Sequence, residues 1–432
     1  MVVGRRATHT RGRSPIWGAV AAGIVAITLA ALLPSDAGTV TIRVRTHRQF
    51  EAAVAAMRST GGTIVLLPHI YRQPLVVGPR SARPLRIVGS PGVKVERFLL
   101  ENTRAVSLGG LTIAPVARDA WLDVSGSERI TLHDLVVTAY GTRFSSTVQI
   151  PDSSRVTIQR SRFTHCGDQS PTWSNCLWVH WPASHILVER SWFHDCLGCD
   201  FIHGRFRADL TIRDNRLERA LPCKLNETQE RRARLYLPKR ATERCGHQDL
   251  IELFGGNGLR IESNHFGVYR DGGAQVYLTG AIDHATVSNN VFVGTDPRLP
   301  LYHSRVGLLI GGRGVPHVPL HVKVLGNTIL TGATRADGYT GSIALSPVYR
   351  HIRRLRRPVI ADNVIGVLQT PQRVCRGARE FQANVVVEGH GCAPAADSRL
   401  TGFAGGEAPG SNLPIDFRII LGTPAVGVSP PG

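Results

Sequence analysis

Residues suited to acid–base chemistry recur on a series of short segments in the middle of the chain. The segments are WLDV from Trp121, TVQI from Thr147, LWVH from Leu177, DFIH from Asp200, DLIEL from Asp249, AQVYL from Ala274 and VGLLI from Val306. Alternating apolar residues are typical of strands with one buried face, and paired parallel strands lie roughly 5 Å apart. Outward side chains should therefore form columns along the stack. The first predicted column contains Asp123, Gln149, His180, His203, Glu252 and Tyr277.

This first column brings together the groups that proteins use to move protons. Imidazoles, carboxylates and phenols are the common general acids and bases. The candidate catalytic residues in it are His180, His203, Glu252 and Tyr277. The alternative interpretation is an inert row of solvated side chains, because polar residues are mostly found on protein surfaces.

A second predicted column lies beside the first and is rich in aromatic residues. Its members are Trp121, Thr147, Trp178, Phe201, Leu250 and Gln275. Aromatic faces offer flat apolar surfaces on which sugar rings can stack, and arginines in adjoining loops could neutralise carboxylates. The candidate substrate-binding residues are Trp178, Phe201, Arg205, Arg270 and Gln275. The residues predicted to point inward between the columns are Leu122, Val148, Val179, Ile202, Ile251, Val276 and Leu308.

The elements that would position these residues follow from a repeat ending in asparagine or serine. Copies include VTIQRSRF from Val156, LRIESNHF from Leu259 and VKVLGNTI from Val322. The polar residue falls at Ser161, Ser191, Asn215, Asn264, Asn290, Asn327, Asn363 and Asn384. Strands this short bury their faces only by stacking coil upon coil. The sequence predicts an all-β fold, a single parallel β-helix, with stacked asparagines at bends in left-handed conformation.

The limits of the solenoid follow from local composition. Thr46 and Gln49 have capping-box spacing at the start of an amphipathic stretch that ends at Gly61. A helix around residues 49–58 is therefore predicted to cover the open apolar end of the solenoid. The β-helix is predicted over residues 39–392, with coils from about 64 to 387 and an insertion near 218–246. Residues 393–432 are rich in alanine, glycine and proline, and an irregular coil or tail is predicted there.

The N-terminus indicates export. A basic start precedes an apolar run at residues 16–33 and then small residues, so residues 1–38 are predicted to be a signal peptide or a membrane anchor. The formal charge of +19 favours polyanionic partners. An exported domain rarely meets nucleic acid, so we expect an acidic polysaccharide as partner, no nucleic acid, and a secreted or anchored monomer.

Eight cysteines fit an oxidising compartment. Spacing predicts the disulfides Cys223–Cys245, stapling the insertion, and Cys375–Cys392. A nearer group has no pairing that the sequence defines, and it consists of Cys166, Cys176, Cys196 and Cys199. A zinc site is the alternative for its Cys-x-x-Cys pair, although the even cysteine count favours disulfides.

The stretch GGTIVLLPHIY, the asparagine repeats and the ending LGTPAVG resemble right-handed parallel β-helix proteins of the pectate-lyase-like superfamily. The similarity is greatest to the group of alginate lyases, chondroitinase B-like lyases and mannuronan epimerases. It extends over nearly the whole chain from about residue 39. The resemblance implies a right-handed helix and a uronate-cleaving or epimerising activity. It also implies Lys224 as a base candidate, since relatives pair a lysine base with an arginine.

Three classes of function fit these residues. For an acidic polysaccharide the natural reaction is β-elimination at a uronate, which needs a cation on the carboxylate, a base and an acid. Arginines or Ca²⁺ could supply the cation, and an epimerase would use the same groups. A glycoside hydrolase would need two carboxylates, for which Glu252 with Asp200 or Asp271 is the available set. A non-catalytic carbohydrate-binding surface protein needs none of them.

Overall fold

The computed structural model describes residues 40–80, 83–115, 120–138, 146–166, 174–196, 199–219, 249–267, 274–293, 306–312, 317–331, 341–368, 371–388 and 392. Several predictions concern other residues and lie outside these ranges. They are the export segment at 16–33, nearly all of the insertion near 218–246 with its disulfide Cys223–Cys245 and Lys224, the residues Arg270 and Asp271, and the tail at 393–432.

Short strands make up most of the described chain. In chain order they are β1 Thr41–Val44, β2 Gly62–Leu66, β3 Ile70–Tyr71, β4 Leu75–Val77, β5 Leu85–Gly89, β6 Lys94–Val95, β7 Arg97–Glu101, β8 Arg104–Gly109, β9 Thr112–Ile113, β10 Trp121–Ser125, β11 Glu128–His133, β12 Val136–Thr138, β13 Ser146–Ile150, β14 Ser154–Gln159, β15 Arg162–Thr164, β16 Ser174–Val179, β17 Ser184–Glu189, β18 Trp192–His194, β19 Cys199–Gly204, β20 Ala208–Arg213, β21 Arg216–Glu218, β22 Ile251–Glu262, β23 His265–Phe266, β24 Ala274–Ser288, β25 Val291–Val293, β26 Val306–Ile310, β27 Lys323–Leu325, β28 Thr328–Leu330, β29 Gly341–Leu345, β30 Val359–Ala361, β31 Val364–Val367, β32 Glu380–Gln382 and β33 Val385–Glu388. The helices are α1 His47–Ala56, α2 Pro371–Gly377 and the 3₁₀ turns Pro347–His351 and Arg354–Arg356.

The strands pair in parallel, each with its counterpart one coil later. The first face of the coil contains β7, β10, β13, β16, β19, the start of β22, the start of β24, β26 and β29. The second face contains β5, β8, β11, β14, β17, β20, the ends of β22 and β24, β27 and β30. The third face is the separate sheet of short strands from β3 to β33. The prediction of a parallel β-helix is confirmed.

One continuous apolar core runs through the coils. Inward positions such as Val148, Ile202, Ile251 and Val276 are fully buried. They belong to a single cluster that extends from Val44 to Ala378. Each strand buries apolar area against both neighbouring coils, so the short strands are stabilised by stacking and not by their own length.

The repeat asparagines form a buried ladder between the second and third faces. The Asn290 amide oxygen accepts hydrogen bonds from the backbone N–H of Asn264 (2.9 Å) and from its side-chain amide (3.0 Å). Asn327 accepts the same pair from Asn290. The predicted stacking is therefore confirmed. The left-handed conformation predicted for these asparagines is wrong, because the preceding residue adopts it, as at Asn289 with φ 55°. Each asparagine instead turns inward to bond the ladder.

Helix α1 begins at the capping box predicted from the sequence. The Thr46 hydroxyl accepts from the Gln49 N–H, and the Gln49 side chain accepts from the Thr46 N–H. Phe50 is buried and packs edge-on against Phe98, with ring centroids 5.9 Å apart. The observed helix starts two residues earlier than predicted and ends two earlier. That it closes the end of the solenoid stays a prediction.

The cysteines behave in two ways. The predicted disulfide Cys375–Cys392 is present. The other four described cysteines are buried free thiols, and the Cys176 Sγ lies 3.0 Å from the Cys196 Sγ and 4.0 Å from the Cys199 Sγ. The structure therefore brings the unassigned group together without pairing it. Among the described residues, no helix is long and apolar enough to cross a membrane.

Candidate functional site

Strand register on the first face defines the outward row. Gln149 pairs with Trp178, which pairs with His203. Glu252 and then Tyr277 occupy the next two coils. The predicted adjacency of His203, Glu252 and Tyr277 is thus confirmed as a register, whereas the place predicted for His180 is wrong. Trp178 occupies the row and Leu177, not Val179, is the inward partner of Ile202, so His180 lies two residues further along.

Most of the second predicted column does not face outward, although its members Trp121 and Trp178 are partly exposed. Thr147, Phe201, Leu250 and Gln275 are all buried. Phe201 packs beside Phe193 of the third face, and the Gln275 amide donates to the backbone carbonyl oxygen of Gly267 (2.8 Å). These positions lie at the corner between the third face and the next first-face strand, where side chains fold back onto the coil. The prediction that Phe201 and Gln275 point towards a substrate is therefore wrong.

His203 lies between two buried carboxylates. Its Nδ1 is 3.0 Å from the Asp200 Oδ2 and 3.1 Å from the Glu252 Oε2. His203 is 8% exposed, Glu252 6% and Asp200 4%. Because Nδ1 is held between the acids, Nε2 is the nitrogen left to serve a bound molecule. Glu252 is supplied by the next coil, so the strand pairing itself sets this geometry.

The sequence predicts Asp200 only as a possible hydrolase carboxylate, whereas the structure gives it a second role in linking the coils. Its Oδ1 accepts from the backbone N–H of Asp249 at 2.8 Å, and Asp249 accepts in turn from the N–H of Ala274. Asp200 therefore ties the start of one coil to the next while its other oxygen holds His203. The sequence contains a pattern that indicates this linking role. DFI and DLI place an aspartate two residues before the inward isoleucine in successive coils.

Their surroundings shift the pKa values of His203 and His180 in opposite directions. Burial would lower the pKa of His203, but the hydrogen bonds and charges of Asp200 and Glu252 outweigh it and raise this pKa to about 9. Burial raises the pKa of Asp200 to about 7, against the hydrogen bond from His203. Burial lowers the pKa of His180. Imidazolium at His203 and neutral imidazole at His180 are the pattern that separates an acid from a base.

His180 lies close to His203 across an aromatic ring. The His180 and Trp178 rings stack with centroids 4.0 Å apart, and the Trp178 ring is 6.0 Å from that of His203. The His180 Nε2 is buried and has no hydrogen-bond partner among the described residues. A buried nitrogen without a partner costs free energy, which a bound polar ligand could recover.

Exposed aromatic residues and an arginine surround this centre. Phe254 is 36% exposed and lies 5.2 Å from the His203 ring, between centroids. Trp181 is 51% exposed, and the Arg205 guanidinium lies 4.8 Å from its ring centroid. The sequence missed Trp181 and Phe254, although each lies one or two residues beyond a predicted row residue. Together with half-buried Trp178 and Tyr277 they form a surface that combines apolar rings with a positive charge.

Two clusters near the row have enough donors for a metal ion. The donor atoms of Asp200, His203 and Glu252 lie within 4.8 Å of one another. Calcium prefers six to eight oxygen ligands, so a centre with an imidazole nitrogen between two carboxylates does not fit it, and we assign no calcium there. This donor set fits a transition metal better. Three of the buried thiols, Cys166, Cys176 and Cys196, are similarly close.

Comparison with solved structures finds similar chains at low identity. The surface adhesin PfbA of Streptococcus pneumoniae is 10% identical with a TM-score of 0.47, over 79% of this chain and 85% of that one. An alginate lyase from Paenibacillus sp. is 12% identical with a TM-score of 0.43, over 70% and 98%. A pectate lyase from Bacillus sp. N165, in complex with trigalacturonate, is 12% identical with a TM-score of 0.37, over 72% and 90%.

No protein-family model matches the chain, and no curated protein sequence matches it. Identities near a tenth and TM-scores below 0.5 carry no argument about activity. The class of fold is a parallel β-helix, as the strand pairing shows. A fold of this class does not define a function, which depends instead on the residues of the first face.

Proposed function

We propose that this protein is an enzyme that removes a proton from a uronate residue of an acidic polysaccharide, most simply as a lyase. The observation that carries the proposal is a pair of neighbouring histidines in different surroundings. The His203 Nδ1 lies between two carboxylates, and the buried His180 Nε2 has no hydrogen-bond partner among the described residues. An epimerase would use the same first step and return a proton to the opposite face of the sugar.

The proposed reaction has one base and one acid. Neutral His180 takes the proton from the carbon next to the uronate carboxylate. The electron pair left behind forms a carbon–carbon double bond, and the glycosidic C–O bond breaks. The imidazolium of His203 gives its Nε2 proton to the departing oxygen. Tyr277, one coil beyond Glu252, is the second candidate for this acid.

Asp200 and Glu252 support His203 and do not react in this proposal. Two carboxylates on Nδ1 keep the ring protonated and fix its orientation, as an oriented acid requires. After proton transfer to the substrate, the neutral ring is reprotonated from solvent because the same carboxylates favour its charged form. Glu252 therefore acts as a positioning residue in this scheme.

Substrate binding is assigned to the surrounding surface. Trp178, Trp181 and Phe254 offer apolar faces for sugar rings. Arg205 is exposed, with its guanidinium over the Trp181 ring, and could neutralise the uronate carboxylate, which acidifies the neighbouring C–H. The formal charge of +19 would assist the approach of a polyanion. An extracellular location fits such a substrate and is part of the proposal.

A glycoside hydrolase is the second candidate, favoured by one observation. Oxygens of Asp200 and Glu252 lie within 4.8 Å of each other, close to the roughly 5 Å between carboxyl groups of retaining enzymes. Against it, Asp200 is 4% exposed and both of its oxygens accept hydrogen bonds, from Asp249 and His203. It has little freedom to meet a sugar. A non-catalytic binding protein would use the aromatic surface alone.

The test is a screen of purified protein against alginate, pectate, hyaluronan and chondroitin. A lyase produces unsaturated ends that absorb in the ultraviolet, and an epimerase changes sugar composition without cleavage. A hydrolase produces new reducing ends without that absorbance. Cleavage with saturated ends only, or binding without any chemical change, would reject the proton-abstraction proposal.

A further inference from the structure

A separate group of two histidines and an aspartate lies on the second face. Thr286 pairs with Lys323 in the parallel register, which places His284 and His321 at equivalent positions of adjacent coils. Both have left-handed backbone conformations, with φ 55° and 50°. Their rings consequently stack, with centroids 4.7 Å apart at an angle of 24°. His284 shares strand β24 with Tyr277, but the register of the end of β24 puts His284 on another face of the coil.

Asp283 joins the two rings. Its Oδ1 lies 2.6 Å from the His321 Nδ1, and its Oδ2 lies 3.3 Å from the His284 Nδ1. The donor atoms of the three residues all lie within 4.8 Å of one another. Asp283 is held in place by a parallel bridge to Leu320 and by accepting the backbone N–H of His284 at 3.0 Å. The Asp283 carboxylate thus lies between the imidazoles of His284 and His321.

We propose that Asp283, His284 and His321 bind one divalent transition metal ion of the zinc type. Two imidazoles and one carboxylate are a common ligand set for such ions. Tetrahedral bonds of about 2.1 Å separate ligand atoms by roughly 3.4 Å, so the group needs only a small side-chain closure. The His284 side chain is 65% exposed, so its ring can turn towards the ion without displacing packed neighbours.

The exposure of the three side chains decides how many coordination positions of a bound ion would be open to solvent. The side chains of Asp283 and His321 are 43% and 35% exposed, so coordination positions not filled by the protein face solvent. A shallow cavity beside Asp283 is lined by His317, Val318 and Ile352. An ion here has open positions for water or for an external ligand, which distinguishes it from a closed structural site.

The chain contains a natural control for an ordinary histidine–aspartate contact. His185 and Asp209 occupy equivalent positions of adjacent coils on the same face, with φ 55° and 52°. The His185 Nδ1 lies 2.9 Å from the Asp209 Oδ2, and both side chains are exposed. This pair has the same backbone and the same kind of contact but a single imidazole. It should not bind a metal ion tightly.

The experiment is calorimetric titration of the tag-free full chain with Zn²⁺ and Co²⁺ after removal of bound metal by a chelator. We expect a binding event that is weakened about ten-fold or more in His321→Gln and in Asp283→Asn, since loss of even a supporting residue has an effect of that size. The His185→Gln variant should bind like wild type. Unchanged thermal unfolding of these surface variants would show that the fold is retained.

Three results would overturn the proposal. One is equal Zn²⁺ binding by wild type and by a His284→Gln/His321→Gln double variant. Another is an equal loss on changing His185. The third is a thiolate-to-cobalt charge-transfer band that accounts for all of the bound Co²⁺, because the ion would then occupy the buried cysteines and not the histidine group.

Discussion

At the scale of single residues, the charge of His203 links the stability of the fold to the proposed chemistry. Its imidazole Nδ1 lies between two buried carboxylates, 3.0 Å from the Asp200 Oδ2 and 3.1 Å from the Glu252 Oε2. Removing one partner of a buried ionic group costs about 3–5 kcal/mol, whereas exposed pairs contribute about 0–1 kcal/mol. The stability of the fold should therefore depend on this outward residue more than its position in a strand suggests.

We accordingly expect His203→Ala to lower the free energy of unfolding by about 3 kcal/mol or more. His203→Gln should lose less, because an amide N–H can still donate to a carboxylate. Chemical denaturation at neutral pH measures both. His185→Ala is the control, an exposed histidine with a similar aspartate contact, and should change little. Equal stability of His203→Ala and wild type would show that the carboxylates do not need the imidazolium.

The same charge has a pH signature in stability. The pKa of His203 in the folded protein is raised to about 9, above its ordinary value. The stabilisation from its charge is therefore complete below the ordinary histidine range and is lost as the pH rises through about 9. The His203→Gln variant should lack this alkaline loss.

Activity should show both histidines as a bell-shaped pH profile. His180 must be neutral to accept a proton, and its lowered pKa extends the active range to the acid side. His203 must be charged, so turnover should fall as the pH rises through about 9. Rate measurements from pH 4 to 11 would check this. His180→Gln should flatten the acid limb in its residual activity, and an alkaline limb that persists in His203→Gln would contradict the assignment.

At the scale of elements, the asparagine ladder sets the spacing of the coils. Asn327 accepts two bonds from Asn290 and donates to the Val287 carbonyl oxygen at 2.8 Å. Each rung satisfies backbone groups of its neighbours, and unsatisfied buried polar groups are expensive. The ladder therefore stabilises the stacked coils cooperatively, because removal of one asparagine leaves polar groups without partners in the coils on both sides.

We expect Asn327→Ala to lower the free energy of unfolding by about 2–4 kcal/mol, because it leaves more than one buried polar group without a partner. Asn257→Ala, at an exposed position of β22, is the control and should change it by less than about 0.5 kcal/mol. Urea denaturation of the three proteins gives the comparison. Similar values for both variants would mean that the ladder follows from the fold without stabilising it.

The difference between prediction and structure also belongs to this scale. Alternation in LWVH sets which side chains share a face but not which of them pairs with His203, because shifts of two residues keep the pattern intact. For that reason the pattern predicts His180 at the row position where the structure has Trp178. The burial of Phe201 and Gln275 depends on packing across a corner, which no local pattern contains. The coil, the asparagine ladder and the adjacency of His203 and Glu252 follow from repeats and were predictable.

At the scale of the whole molecule, the excess of positive charge should govern affinity for polyanions. With a net charge of +19, binding of a uronate polymer should weaken as salt rises and the Debye length falls from about 10 Å at 0.1 M. We expect Arg205→Ala to reduce affinity mainly at low salt. Trp178→Ala should reduce it at all salt concentrations, because contact with an apolar ring is not screened. Titrations at several salt concentrations would show the two patterns, and salt-independent binding would contradict the charge argument.

Turnover of His203→Gln and Glu252→Gln on the polymer that the wild type cleaves tests whether His203 is the acid of the reaction. We predict that both variants are folded, by circular dichroism and thermal unfolding, and that each loses about 100-fold or more in kcat. His203→Gln removes the general acid, and Glu252→Gln removes a carboxylate that keeps this acid charged and oriented. Equal protein concentrations and product absorbance at saturating substrate give the values. Near wild-type kcat in both folded variants would contradict the assignment of His203 as the acid and would leave this buried group without a part in catalysis.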